Sequence, residues 1–248
     1  MENSPVITLN GFSPYPGVDP EVWERYTKWG TEVYGPLMMK YPARKGIDTY
    51  QIVKENPLYP FQVGIHHHET LASQQNNLKT PEQIAIMKDS FSWHTRNVTD
   101  HTWSAIYQLV RSFRSEQTLP GDRPDTRIQN ASIMHLEAYR LSSEDQDKFN
   151  KWFVEYGINI FIPLFMKQVG VKGYDYYKFT GLQVGSGARE SDYPAYFAVI
   201  YFENMQAFEK YEKSPELTTF HKTMRNVFPR GVNYRWYVQY QLTFSLRK

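Results

Sequence analysis

Pro36-Leu37-Met38-Met39-Lys40 returns 127 positions later as Pro163-Leu164-Phe165-Met166-Lys167. The same offset carries Lys45-Gly46-Ile47-Asp48-Thr49-Tyr50 onto Lys172-Gly173-Tyr174-Asp175-Tyr176-Tyr177, and residues 7–12 onto 134–139. Further along, an offset of 134 pairs Thr80-Pro81-Glu82 with Ser214-Pro215-Glu216, and one of 133 pairs Tyr107-Gln108-Leu109 with Tyr240-Gln241-Leu242. Self-similarity at a nearly fixed offset marks a repeated supersecondary unit, and small loop insertions account for the drift. The reading is two tandem copies, residues 1–115 and 131–248, joined by a linker at 116–130 that carries Pro-Gly-Asp and Pro-Asp turn chemistry and no periodicity.

Each copy reads βαββαβ. Alternating strands fall at 6–13 and 133–141. A helix follows: Asp19 and Pro20 open the first as cap and first-turn proline, with Trp23, Tyr26, Gly30, Val33, Tyr34 and Leu37 at helical spacing, and 146–167 is its counterpart. Strands at 47–54 and 61–69 match 174–184 and 196–203, helical regions at 80–100 and 205–227 come next, and a last strand closes each copy. A βαββαβ unit lays two helices on one face of a four-stranded antiparallel sheet and leaves the other face to be covered. The predicted fold is therefore α+β: two ferredoxin-like repeats whose free sheet faces pack into an α+β barrel around a ligand-sized space.

Composition narrows the function classes. The net charge of +2 makes no field for nucleic acid or an anionic membrane surface. With no cysteine, disulfides, thiolate nucleophiles and iron–sulfur clusters are excluded. An aromatic fraction of 16% is high enough to line a cavity as well as a core. The N-terminal MENSPVITLNGF lacks a basic segment followed by an apolar one, so a cytoplasmic protein is expected. No phosphate-binding glycine loop, Gly-x-Ser-x-Gly elbow or His-Glu-x-x-His motif is present.

The segment AYFAVIYFENMQAFEKYEKSPEL at 195–217, a strand followed by an acidic residue, a helix and Ser-Pro, resembles the dimeric α+β barrel superfamily, in particular its EthD-type and antibiotic-biosynthesis-monooxygenase-type members. That resemblance implies a small hydrophobic or aromatic substrate and chemistry run without an organic cofactor: oxygenation, decarboxylation, cyclisation or isomerisation. Fused members of the superfamily also include haem proteins.

Strand parity assigns Ile7, Leu9 and Gly11, with Met134, Leu136 and Ala138, to the helix side, and Thr8, Asn10 and Phe12, with His135, Glu137 and Tyr139, to the barrel cavity. A buried imidazole and carboxyl two apart on a strand are acid–base candidates, so His135 and Glu137 are assigned as catalytic. In His66-His67-His68-Glu69, alternation sends His67 to the cavity opposite Tyr201, making it the third catalytic candidate, and leaves His66 and His68 as an alternative metal pair. Asn10, Thr8, Tyr139, Gln108, Gln241, Tyr50 and Tyr177 are the substrate-binding candidates. His221, with His94, is the alternative haem ligand, and His101 receives no role. The expectation is an enzyme with no cofactor and a small-molecule substrate, without nucleic-acid or membrane partners, and able to form a homo-oligomer. The alternatives are a haem- or metal-dependent enzyme and a non-catalytic binding protein.

Overall fold

The computed structural model describes residues 4–115, 128, 131–140, 143–183, 193–229 and 233–248. Eight strands form one closed antiparallel barrel: β1 (Val6–Pro14), β2 (Arg44–Ile52), β3 (Gln62–His68), β4 (Thr99–Arg114), β5 (Ile133–Arg140), β6 (Val171–Gln183), β7 (Tyr196–Phe202) and β8 (Asn233–Arg247). Around the barrel they run β1-β3-β2-β8-β5-β7-β6-β4. The four strands of each half are contiguous, and two seams join the halves. β2 pairs β8 with Asp48 opposite Ser245, and β4 pairs β6 with Ser112 opposite Asp175.

Helices cover the outside. α1 (Pro20–Trp29) starts where Asp19 accepts from the Glu21 amide at 2.8 Å, with Pro20 in its first turn. It continues through a π-helical turn (Gly30–Tyr34) into α2 (Gly35–Met38). The second half repeats this with α5 (Ser143–Trp152), a π-helical stretch (Phe153–Phe161) and α6 (Ile162–Phe165). In both, an i→i−5 bond marks the widened turn, from the Gly35 amide to the Gly30 carbonyl and from Ile162 to Gly157.

The expected second helical region of the second half is broken in two, and in the first half an unexpected helix precedes the expected one. α7 (Met205–Glu212) ends before Ser214, which with Pro215 opens α8 (Pro215–Val227). In the first half, α3 (Leu71–Asn77) precedes α4 (Pro81–Thr95). α3 carries no apolar stripe and is set by a capping box, in which Thr70 and Ser73 satisfy each other's amides. β4 begins at Thr99, within the stretch expected to be helical. The linker lies outside the described residues except for buried Ile128. Among the described residues, no helix is long and apolar enough to cross a membrane.

The facing of β1 and β5 is the reverse of the parity assignment, whereas His67 on β3 and Tyr201 on β7 turn inward as expected. Ile7, Leu9, Val63, Ile65, Tyr107, Met134, Leu136, Tyr177, Phe197, Val199 and Tyr240 belong to one buried cluster contributed by both halves, which fills the barrel. Tyr107 and Phe197 meet edge to face at 4.5 Å, and Tyr177 stacks on Phe197 at 5.3 Å. An eight-stranded barrel holds little more than its own inward side chains, so the most apolar face turns inward, each large side chain stabilising by roughly 1.5–3 kcal/mol. The expected cavity inside the barrel is replaced by solid core.

One inward layer is polar. Arg247 pairs with Asp48, and Arg114 holds Asp175 at 2.8 and 3.2 Å with Ser112 Oγ donating at 2.6 Å. Each arginine comes from the last strand of one half and each aspartate from the second strand of the other, so the two pairs clasp the seams reciprocally. His67 Nε2–H donates to Asp48 at 3.0 Å. Burial alone would push the Asp48 carboxyl up, but the His67 hydrogen bond and the Arg247 charge hold it below its ordinary value.

Candidate functional site

The polar face of each sheet lies under its own helices, and the two halves fill that space differently. In the second half Phe149, Phe153, Phe161 and Phe165 from the long helix, with Phe208 and Phe220, pack onto Tyr174, Tyr176, Ile200 and Phe202 without a ligand-sized gap. Phe153 meets Tyr176 at 4.7 Å and Phe161 meets Phe220 at 5.1 Å. In the first half the corresponding space is a cavity of about 930 Å³.

The difference follows from the side chains at matching positions. Gln74, Gln83 and Ser90 line the cavity where Phe208, Leu217 and Met224 fill the other half, and Thr31 and Tyr34 stand where Ile158 and Phe161 stand. The helix wall is aromatic, with Trp23, Tyr26, Trp29 and Tyr34. The strand wall is polar, with Thr8, Asn10, Thr49, Gln51, Gln62 and His66. Ser104 Oγ donates to Asn10 Oδ1 at 2.6 Å, and Gln74 Nε2 to Thr8 Oγ1 at 3.4 Å, which hold the two first-strand residues in place.

Two equivalent glycines make the contrast testable. A Cβ on Gly30 would meet nothing within 4 Å, whereas one on Gly157 would come within 2.8 Å of the buried Phe153 ring. Both lie in helical backbone. Gly30→Ala is therefore expected to be neutral or to stabilise by up to about 1 kcal/mol, and Gly157→Ala to destabilise by about 1–3 kcal/mol. Denaturant midpoints that move together in both variants would contradict the assignment of open space to one half only.

His66 faces the cavity 5.9 Å from the Tyr34 ring. Burial first, then the neighbouring Arg44 charge and the other two histidines, hold its imidazole well below the ordinary value, so it is neutral at pH 7. Neutral imidazole offers a lone pair for a proton.

The remaining candidates are distributed over other environments. Thr8 and Asn10 do line the cavity, on the helix side of the sheet. His67, Tyr50 and Tyr177 point into the packed barrel, because they share the inward parity of Ile65 and Ile52. Gln241 is exposed and Gln108 partly so, both on strands whose inward positions are Tyr240 and Tyr107. The side chains of His94 and His101 lie outside the described residues.

His135, Glu137 and Tyr139 form a row under the second-half helices. The gap beside Glu137 and Tyr139 is about 10 Å³, room for roughly one water. His135 Nε2 is 3.9 Å from Glu137 Oε2, beyond hydrogen-bond reach, while its Nδ1 lies 3.2 Å from the Val238 carbonyl and 3.1 Å from Gln239 Nε2. Burial pushes the His135 imidazole down to about 3 and the Glu137 carboxyl up to about 8, leaving both neutral at pH 7, and Tyr139 donates to Glu137.

Among the described side chains, neither His221 nor the His66 and His68 pair is built into a haem or metal site. His221 lies on α8, whose Leu217, Phe220 and Met224 pack into the core, and it does not line the cavity. Among the described residues no three His, Asp or Glu side chains gather as a metal set. The Arg44 charge that lowers His66 and His68 also disfavours a cation between them.

Sequence reasoning missed Arg44, which lines the cavity. At an even position it belongs by parity with Asp48 and Tyr50, inside the barrel. A β-bulge between Arg44 and Gly46 sets it opposite His68 and turns it to the helix side. Its counterpart under the same bulge in the second half is Val171. An arginine against a valine at matching positions was the available signal.

No protein-family model and no curated protein sequence matches the chain. Solved structures do. The chain superposes on an anthrone oxidase-like protein with a TM-score of 0.66 at 12% identity, over 99% of this chain and 94% of that one. A putative monooxygenase of Fusobacterium nucleatum gives 0.64 at 9% identity, over 100% and 96%. A putative chlorite dismutase gives 0.57 at 9% identity, over 98% and 96%. The architecture is thus the closed α+β barrel of these proteins; at such identities the likeness is one of fold.

Proposed function

We propose that the protein is a small-molecule enzyme built from two fused βαββαβ units, residues 1–115 and 131–248, that transforms an apolar or aromatic substrate in the helix-side cavity of the first unit. The observation that carries this reading is the asymmetry: one of two equivalent spaces is packed with phenylalanines, and the other is open with an aromatic wall facing a polar one. Cavities of this size and lining suit small ligands. The oxidase, monooxygenase and chlorite dismutase names of the superposable structures support a small-molecule enzyme on this fold.

The chemistry best matched to the residues is proton transfer. A substrate held against Trp23, Tyr26 and Trp29 would present an acidic C–H to the sheet, where neutral His66 takes the proton as the enolate that forms offsets the Arg44 charge, which in the free protein disfavours the imidazolium. Asn10 and Thr8, both fixed by side-chain hydrogen bonds, would orient the substrate's polar edge. In this reading His135 and Glu137 belong to the core of the second unit rather than to catalysis.

The test is deuterium exchange at the acidic position of a panel of enolisable aromatic ketones, anthrone included, followed by NMR in D₂O. Wild-type protein should accelerate exchange, His66→Gln should lower the acceleration by about 100-fold or more, and His135→Gln should leave it intact. Exchange unaffected in His66→Gln, or absent across the panel with wild type, would sink the proton-transfer reading.

A further inference from the structure

Resting on the cavity assigned above, we infer that its ligand is an organic anion whose charged oxygen is held by Arg44. The guanidinium is sealed from solvent at 1% exposure, yet no carboxylate among the described residues pairs with it. Its Nε and Nη1 are buried without a hydrogen-bond partner. Beside it, Gln74 Oε1 and both ring nitrogens of His68 are also buried and unsatisfied.

The contrast within the chain is sharp. Among the described residues, Arg247 and Arg114 are also directed into the fold, and each holds an aspartate. Arg44 faces Tyr34 and Tyr41 instead, and Tyr41 OH is committed to the Ser73 carbonyl at 3.0 Å. A buried charge without a counter-ion is among the most costly arrangements in a protein, and it is removed when an anion arrives.

The second half shows what the position looks like without this demand. Val171, Ile200, Phe202 and Phe208 replace Arg44, His66, His68 and Gln74, and the same bulged strand pair closes over apolar core. The bulge is therefore part of the fold, and the arginine on it is specific to the half with the cavity.

Elsewhere along the lining the charges are Glu24 and Lys28. Both are exposed on α1, where water screens them, and Lys28 pairs with Glu32 at 3.8 Å. Among the described residues the deep end thus has one cation, at the strand wall, and the aromatic rings lie on the helix wall opposite. A planar aryl group bearing a carboxylate or an ionised enol or phenol matches both.

The inference is tested with matched neutral and anionic probes: benzoate, 2-naphthoate and anthracene-2-carboxylate against their primary amides, with binding followed by tryptophan fluorescence of the cavity wall and by calorimetry. At least one acid is expected to bind about tenfold or more tighter than its amide. Arg44→Met should abolish that preference while raising the melting temperature of the ligand-free protein by about 2–4 °C, since an unpaired buried charge gives way to an apolar side chain. Acid and amide binding equally to wild type would overturn the anion inference and leave the cavity reading standing. No binding by any probe would overturn both. An Arg44→Met protein that melts lower and still prefers the acids would assign Arg44 to structure and overturn the inference.

Discussion

Asp175→Asn is expected to lose about 3 kcal/mol of stability, read as a fall in the urea midpoint with little change in slope. Asp175 is 1% exposed and takes both terminal nitrogens of Arg114 as well as the Ser112 hydroxyl. The asparagine fits the same volume but leaves a largely buried guanidinium without its counter-charge. That is the costly way to break such a pair, because the surviving charge still lacks water. Replacing both partners, as Asp175→Leu with Arg114→Met, should recover most of the loss, since the pair itself contributes little beyond mutual satisfaction. A single variant within about 0.5 kcal/mol of wild type would remove the seam from the list of determinants of stability. Asp48→Asn should behave alike at the other seam, where Arg247 loses its counter-charge and His67 is left with an uncharged acceptor.

The second large effect appears only as pH is varied. The native protein keeps the Glu137 proton up to about pH 8, whereas the unfolded chain releases it near the ordinary glutamate value of 4.5. Between those limits the unfolded state binds fewer protons, so this group's contribution to stability falls as pH rises, by at most about 1.4 kcal/mol per unit. Glutamine is isosteric with the neutral acid and carries no proton to lose. Glu137→Gln should therefore match wild type near pH 4.5 and become progressively more stable by comparison up to pH 8, a gap on the order of 3 kcal/mol. His135, with its imidazole lowered to about 3, tilts the opposite way. Its contribution rises between pH 3 and 6.5, and it cancels in the comparison. Parallel stability curves for the two proteins would show that Glu137 is ionised in the native state.

The repeat made the strand count and order legible, because Pro36–Lys40 and its echo align the two halves before any element is assigned. The facing of β7 and β3 was legible, from Phe202 preceding Met205 and Phe208; that of the first strands was not. Alternation separates Ile7 and Leu9 from Thr8 and Asn10, but says nothing about which set turns inward; that depends on a closed barrel having almost no interior volume. A cavity is a deficit of volume, so no single residue announces it. It is visible only in differences such as Gln74 against Phe208 or Ser90 against Met224. The π-helical turns leave no mark in a 3.6-residue period, and LASQQNN at 71–77 has no apolar face to reveal a helix. His135, Glu137 and the triple histidine were conspicuous for being polar in strands; of these His66 alone reached the cavity.

The reciprocal clasp of the seams has a consequence for how such a chain can change. In an assembly of two identical subunits every substitution occurs twice, so enlarging the space under one set of helices hollows out the other as well. Here both sheets lie on one polypeptide and each mutation is made once. Phenylalanines could accumulate in the second half while glutamine, serine and an unpaired arginine accumulated in the first. Since both seams bind the halves into one closed barrel, rigidity gained in the first half's neighbour also supports the hollow side. The molecule is divided between a half packed with aromatic side chains and a half left hollow.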